Sequence, residues 1–178
     1  MRAFWLAAIT VSLLCAGSAA RAHFVTMATW PEQEAEQTAL IEVLSKISKA
    51  DGMLVSVREM NARRDAVSMV AMAGLEFTVL ELASAQAAFR GEGPFATRPA
   101  PELRLIAVID GMAVLGSDMI RFGMDAHLAL LLRDALGKTG HVPSILQGKT
   151  LQDMVPGDTG IPYARGALKV WRAEGLMN

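Results

Sequence analysis

Cysteine is almost missing from this chain: among 178 residues there is one, Cys15. A lone thiol closes no disulfide within the chain. Histidine is scarce too, with His23, His127 and His141 the only three. Neither an H-x-H nor an H-E-x-x-H spacing joins them, which removes the common metal-site motifs. There is no G-x-S-x-G, so nucleophilic catalysis has no sequence signature, and we expect no enzyme activity. Basic runs are absent, and the formal charge is −1, from 17 basic and 18 acidic residues. That balance argues against a nucleic-acid partner. Long apolar runs are also lacking beyond the amino terminus, because Asp110 and Gly111 interrupt Leu105 to Gly116, the best such stretch.

The first residues are different in kind. MRAFWLAAITVSLLCAGSAARA has an early Arg2, an apolar run from Ala3 to Ala16, and small residues ending in Ala20-Arg21-Ala22. This three-part layout is that of a secretory signal peptide over residues 1–22, with cleavage after Ala22. The run is short for a membrane anchor, and Leu14 is too large for lipoprotein processing at Cys15. The expected product starts at His23, is slightly more acidic than the whole chain, contains no cysteine, and is a periplasmic protein of one domain, 23–178. Its new terminal amine and the His23 imidazole could chelate copper beside a second imidazole, but no other histidine stands at a supporting spacing.

Short elements then alternate. Phe24 to Ala28 reads as a strand, broken at Thr29-Trp30-Pro31, and Pro31 suits the first position of a helix. In that helix Leu40, Val43, Leu44 and Ile47 recur at one-face spacing. Strands follow at Met53 to Val57, Leu75 to Leu80, Glu102 to Ile109 and Met112 to Leu115, the last two joined by an Asp110-Gly111 turn. Between them a helix capped by Asn61 runs towards Gly74, and another, Leu82 to Arg90, stops at Gly91. Later helices are expected at Met124 to Lys138 and Gly166 to Glu174. This order predicts an α/β fold: one doubly wound, mostly parallel sheet with helices on both faces. The methionines lie mostly on apolar faces and read as core filler.

In such sheets a small ligand sits outside the carboxyl ends of the strands. Arg58, Arg63 and Arg64 concentrate positive charge at one of those ends, next to a helix start at Asn61. Guanidinium groups beside a helix amino terminus suit a carboxylate; the alternative is a solvated surface with Asp65 pairing locally. Trp30 and Tyr163 are candidates to wall a pocket, although buried packing is a commoner use of such rings. Asp153 and Asp158 flank a turn and need no chemical role.

The stretch ASAQAAFRGEGPFATRPAPELRLIAVI resembles the segment of TAXI-type solute-binding proteins of TRAP transporters in which a helix ends in Gly-x-Gly-Pro-Phe before a strand. ALIEVLSKI is similar to that family's first helix, and DAHLALLLRDAL to a late one. IPYARGALKVWRAEGL resembles its closing segment through Ile161, Pro162, Gly166, Ala167, Glu174, Gly175 and Leu176. The resemblance implies an α/β lobe of the kind found in periplasmic binding proteins, capturing a small organic anion or amino acid for a TRAP membrane permease. It covers both ends of the family's chain and omits most of the second lobe, so a homodimer is one way to close a site. The family's Gly-Gly-Thr-Tyr-Tyr loop is replaced here by Thr29-Trp30-Pro31-Glu32-Gln33, and its Gly-Gly-Ser segment by Arg58-Glu59-Met60-Asn61. Ala164 and Arg165 stand where the family has His and Pro. If the lobe binds a solute, the residues expected to contact it are Thr29, Trp30, Arg58, Asn61, Arg63, Arg64 and Tyr163. The competing expectation is a lobe that binds a protein partner and no solute.

Overall fold

The computed structural model describes residues 24–120, 123–137 and 143–178. The expected cleavage site at Ala22 and His23, and His141, lie outside the described residues. In chain order the elements are β1 (Phe24–Thr29), α1 (Ala35–Ala50), β2 (Leu54–Glu59), α2 (Arg63–Ala71), β3 (Phe77–Glu81), α3 (Leu82–Arg90), β4 (Leu103–Ile109), β5 (Met112–Ser117), α4 (Met124–Gly137), α5 (Leu151–Met154) and α6 (Arg165–Ala173).

The strands form one five-stranded sheet in the order β2-β1-β3-β5-β4. β1 pairs in parallel with β2 and β3, while β5 is antiparallel to both β3 and β4. Two reversals restore direction, so β4 points the same way as β1 to β3, and the sheet is mostly parallel. β5 enters it through a tight hairpin at Asp110-Gly111, whose φ values of 50° and 77° are those of a turn that matches strand twist. The chain runs from β1 outward to β2, then back across β1 to β3. Right-handed crossovers in both directions place α1 and α2 on opposite faces. On the α1 face Met27 of β1 is tied to α1 by Ser45 Oγ, which donates to its Sδ at 3.7 Å, and α4 packs beside α1 with α6 against α4. On the α2 face the loop after α3 returns to α2, where Arg98 Nη1 meets Asp65 Oδ1 at 3.1 Å.

Burial grades across the sheet. Nearly every residue of β4 and β5 is buried, whereas β2 is exposed along most of its length. The two edges differ for a structural reason. β4 carries a bulge at Ile106, where the register with β5 shifts, and the carbonyl left over is taken by Trp171 of α6, whose Nε1 donates to Ile106 O at 2.8 Å. Its outer edge is covered by the chain before α6: Leu105 N donates to Pro162 O at 2.9 Å and Ala164 N to Leu105 O at 2.8 Å. Nothing among the described residues pairs with the outer edge of β2.

The Gly-rich, Pro-rich loop after α3 has a structural use. Gly91 ends the helix in the left-handed region at φ 71°, and a Cβ there would come within 2.8 Å of Pro99 Cβ. Phe95, in a short 3-10 turn, is 1% exposed and belongs to the core. Two expected helix starts are corrected. Pro31 is not a first helical position: Trp30 is 5% exposed, and bringing it into the core takes the chain through a turn before α1 begins. Glu34 then caps α1, with Gln37 completing a capping box. Asn61 is not the cap of α2, because Met60 N still bonds Thr29 O at 2.7 Å and holds the chain to the sheet one residue longer. Ala62, with extended backbone and no capping side chain, takes that place.

Candidate functional site

β1 has β2 on one side and β3 on the other, so the chain leaves the carboxyl ends of the strands in opposite directions and a crevice opens there. Its chemistry is acidic. A cleft of about 460 Å³ at the ends of β3 and the β4–β5 turn is lined by Glu34, Glu81, Asp110 and Gln86. At the start of α1 the Glu34 carboxylate itself stands over the Gln37 amide in a capping box, where it competes with any anion drawn to the helix start. Asp110 is paired with Lys149, and Gln86 Nε2 donates to Thr159 O at 2.7 Å. Glu34 and Glu81, neither ion-paired among the described residues, disfavour an anionic solute at this opening.

A second cleft, of about 540 Å³, lies on the α1 face between α1 and β2 and reaches the end of β1. Its volume is in the range of small-molecule sites. Trp30, Ile41 and Val57 give it apolar surface, and Thr29 stands at its upper end. The α1 bank is a single helical stripe of Thr38, Ile41, Glu42, Ser45, Lys46 and Lys49, spaced by three and four residues as one face requires. From Thr38 to Lys49 that stripe is about 16 Å long at 1.5 Å per residue. Lys46 and Lys49 bring positive charge, Glu42 and Glu59 negative, and none of the four enters an ion pair among the described residues. Gln33 also lines the cleft, and its Nε2 is shut away from solvent without a hydrogen-bond partner. Such an orphaned donor costs about 1–3 kcal/mol.

The residues singled out in the sequence divide between places. Thr29 and Trp30 are in this cleft. Arg58 is exposed on β2 beside Ala28 of β1, and Thr29 Oγ1 donates to its carbonyl at 3.4 Å. Asn61, Arg63 and Arg64 are exposed at the start of α2, where Arg64 Nη1 donates to Thr97 Oγ1 at 3.3 Å. The three arginines are thus neighbours in the chain, but none lines the cleft. Asp65 does not pair locally; it reaches Arg98, 33 residues on. Tyr163 is apart from all of them. It bridges Leu105 on the outer side of β4, so β3, β5 and β4 separate it from the Trp30 strand, and its Oη donates to Pro156 O at 2.7 Å. Burial pushes its phenol above the ordinary tyrosine range. Tyr163 and Trp30 therefore do not wall one pocket.

Glu42, Lys46, Lys49 and Glu59 are the charged cleft residues that sequence reasoning did not single out. The signal for the lysines was present as the Glu42, Ser45, Lys46, Lys49 side of α1, which reads as an ordinary solvated face until β2 is placed beside it. Among the described residues no three His, Cys, Asp or Glu side chains gather as a metal ion would require, and no described helix is long and apolar enough to cross a membrane. Compared with known proteins, the chain matches no family model and no curated protein.

Proposed function

We propose that this chain is a solute-capturing lobe that takes a small carboxylate-bearing molecule, an amino acid foremost, into the cleft between α1 and β2. On the resemblance to TAXI-type proteins, it does so in the periplasm and delivers the solute to a TRAP membrane permease by equilibrium binding, without catalysis. The observation that carries this reading is the cleft's combination of two lysines and two glutamates, none of them ion-paired among the described residues, around the apolar surface of Trp30, Ile41 and Val57. Mixed charge of this kind suits a zwitterion better than a dianion, with the carboxylate drawn to the lysines and an ammonium to the glutamates. A protein-interaction role without solute is the second reading, and the open edge of β2 favours it.

Calorimetry with a panel of amino acids and dicarboxylates tests the proposal. Each charged hydrogen bond removed should cost about 1.5–3 kcal/mol, so Lys46→Ala or Lys49→Ala should weaken binding by roughly one to two powers of ten. Arg90→Ala, whose side chain is paired with Glu92 on the exposed end of α3, should change affinity little. Weakening by Arg58→Ala with no effect of the lysine variants would move the site to the arginine cluster. No binding tighter than about 1 mM to any solute in the panel would leave the interaction role.

A further inference from the structure

We propose that β2 is the contact edge of a homodimer, in which the β2 strands of two copies pair antiparallel about a two-fold axis at Val57 and join two sheets into one. The inference stands on the strand itself and does not depend on solute binding.

Open strand edges are normally shortened, charged or covered, since they template pairing with another chain. This molecule covers one edge, β4, with the Pro162 to Ala164 segment, and among the described residues leaves six-residue β2 unpaired. Leu54, Val55, Ser56 and Val57 carry no charge. Large apolar side chains are exposed on both faces of this edge: Val57 is 49% exposed on the α1 face, and on the other face Leu54 is 48% and Phe24, beside it in the register, 62% exposed.

The direction of the backbone groups fixes how such an edge is used. Met60 N points inward to Thr29 O. Successive amides in a strand point to opposite sides, so Arg58, Ser56 and Leu54 also face β1, and the free groups belong to Val55, Val57 and Glu59. Identical edges related by a two-fold axis meet antiparallel. Outward residues must oppose outward residues, which leaves three registers to weigh. Centring on Ser56 sets Glu59 against the partner's Met53, whose N–H is already donated to Ser48 O at 3.0 Å. Centring on Arg58 stacks two guanidinium groups. Centring on Val57 pairs Val57 with the partner's Val57 and Val55 with the partner's Glu59, so every free group of the edge finds a match.

Charge agrees with that register. α1 runs opposite to β2, so Lys46 and Lys49 flank the amino half of the strand and Glu59 its carboxyl end. The two-fold axis brings each Glu59 towards the partner's Lys49. It also sets the partner's strand along the open side of the α1–β2 cleft.

Sedimentation equilibrium over a concentration series should show a monomer–dimer equilibrium in the purified chain. Val57→Lys, which places two like charges on the axis, should weaken it by at least about tenfold while leaving the thermal transition of the dilute protein unchanged. In a Cys15→Ser background, Val57→Cys should cross-link on mild oxidation, because hydrogen-bonded antiparallel partners stand about 5.5 Å apart at Cα. Met119→Cys, at an exposed apolar position on another part of the surface, should not. A chain that stays monomeric throughout overturns the proposal. So does a dimer indifferent to Val57→Lys that Val57→Cys fails to cross-link, or a monomer that instead takes an extended peptide along this edge.

Discussion

At the scale of single residues, two buried aromatic groups carry polar duties that their burial makes measurable. Trp171 is fully buried, and its indole N–H answers the Ile106 carbonyl freed by the β4 bulge. Trp171→Phe keeps most of the apolar volume but orphans that carbonyl, so it should cost about 1–3 kcal/mol. Trp171→Ala adds a cavity and should cost about 3–5 kcal/mol. Urea unfolding reads both, and a phenylalanine variant as stable as the parent would show that the carbonyl finds another partner. Tyr163, the chain's only tyrosine, gives a pH signature. Its folded-state pKa is raised by burial, so folded protein keeps the proton after the unfolded chain has lost it. Its contribution is therefore fully present below pH about 10 and declines as pH rises further. Phenolate absorbance should appear together with unfolding rather than before it, and Tyr163→Phe should flatten the alkaline loss of stability. Both side chains were visible in the sequence only as aromatic residues. Their partners, Ile106 and Pro156, are set by a bulge and a loop that no local pattern announces.

Among elements, those defined by strong local chemistry were legible and those defined by neighbours were not. Gly91 ended α3 where a left-handed residue was expected, and Asp110-Gly111 made the hairpin. The starts of α1 and α2 moved because sheet contacts at Trp30 and Met60 outweighed the pull of Pro31 and Asn61. The start of α6 shows the same dependence and yields a test. Ala164 at its N-cap has no capping side chain; the Gly166 amide instead donates to Asp125 Oδ2 of α4 at 2.6 Å. A carboxylate there also complements the helix dipole. Asp125→Ala should cost about 1 kcal/mol, with Asp125→Asn retaining part of the bond. A Cβ on Gly166 would collide with the same carboxylate, so Gly166→Ala should destabilise the parent. In the Asp125→Ala background the collision is gone, and alanine's better helix propensity, worth up to about 1 kcal/mol, should make the same change stabilising. A double-mutant cycle by thermal unfolding reports that reversal of sign, and additive effects would show that the two residues do not act on each other.

For the whole molecule, a sheet buried at β4–β5 and bare at β2 predicts a gradient of local stability. The alternation of elements and the parallel core could be read from the sequence; the asymmetry of the edges could not, since it rests on Leu105 meeting the segment around Tyr163 across 58 residues of chain. The candidate site shared that limit, because its cleft exists only where α1 and β2 lie side by side. Local opening is cheapest where few apolar contacts are lost. In dilute protein, amide exchange should therefore be slowest in β4, β5 and β3, and fastest among the strands in β2. Within β2 the pattern should alternate, with Ser56 and Arg58, bonded to β1, protected more than Val55, Val57 and Glu59. Raising the protein concentration should protect those three selectively if two copies pair at this edge. Uniform exchange along β2 at every concentration would contradict both the strand's orientation and its use as a contact. Protection of all six in dilute protein would mean that another part of the chain covers the edge.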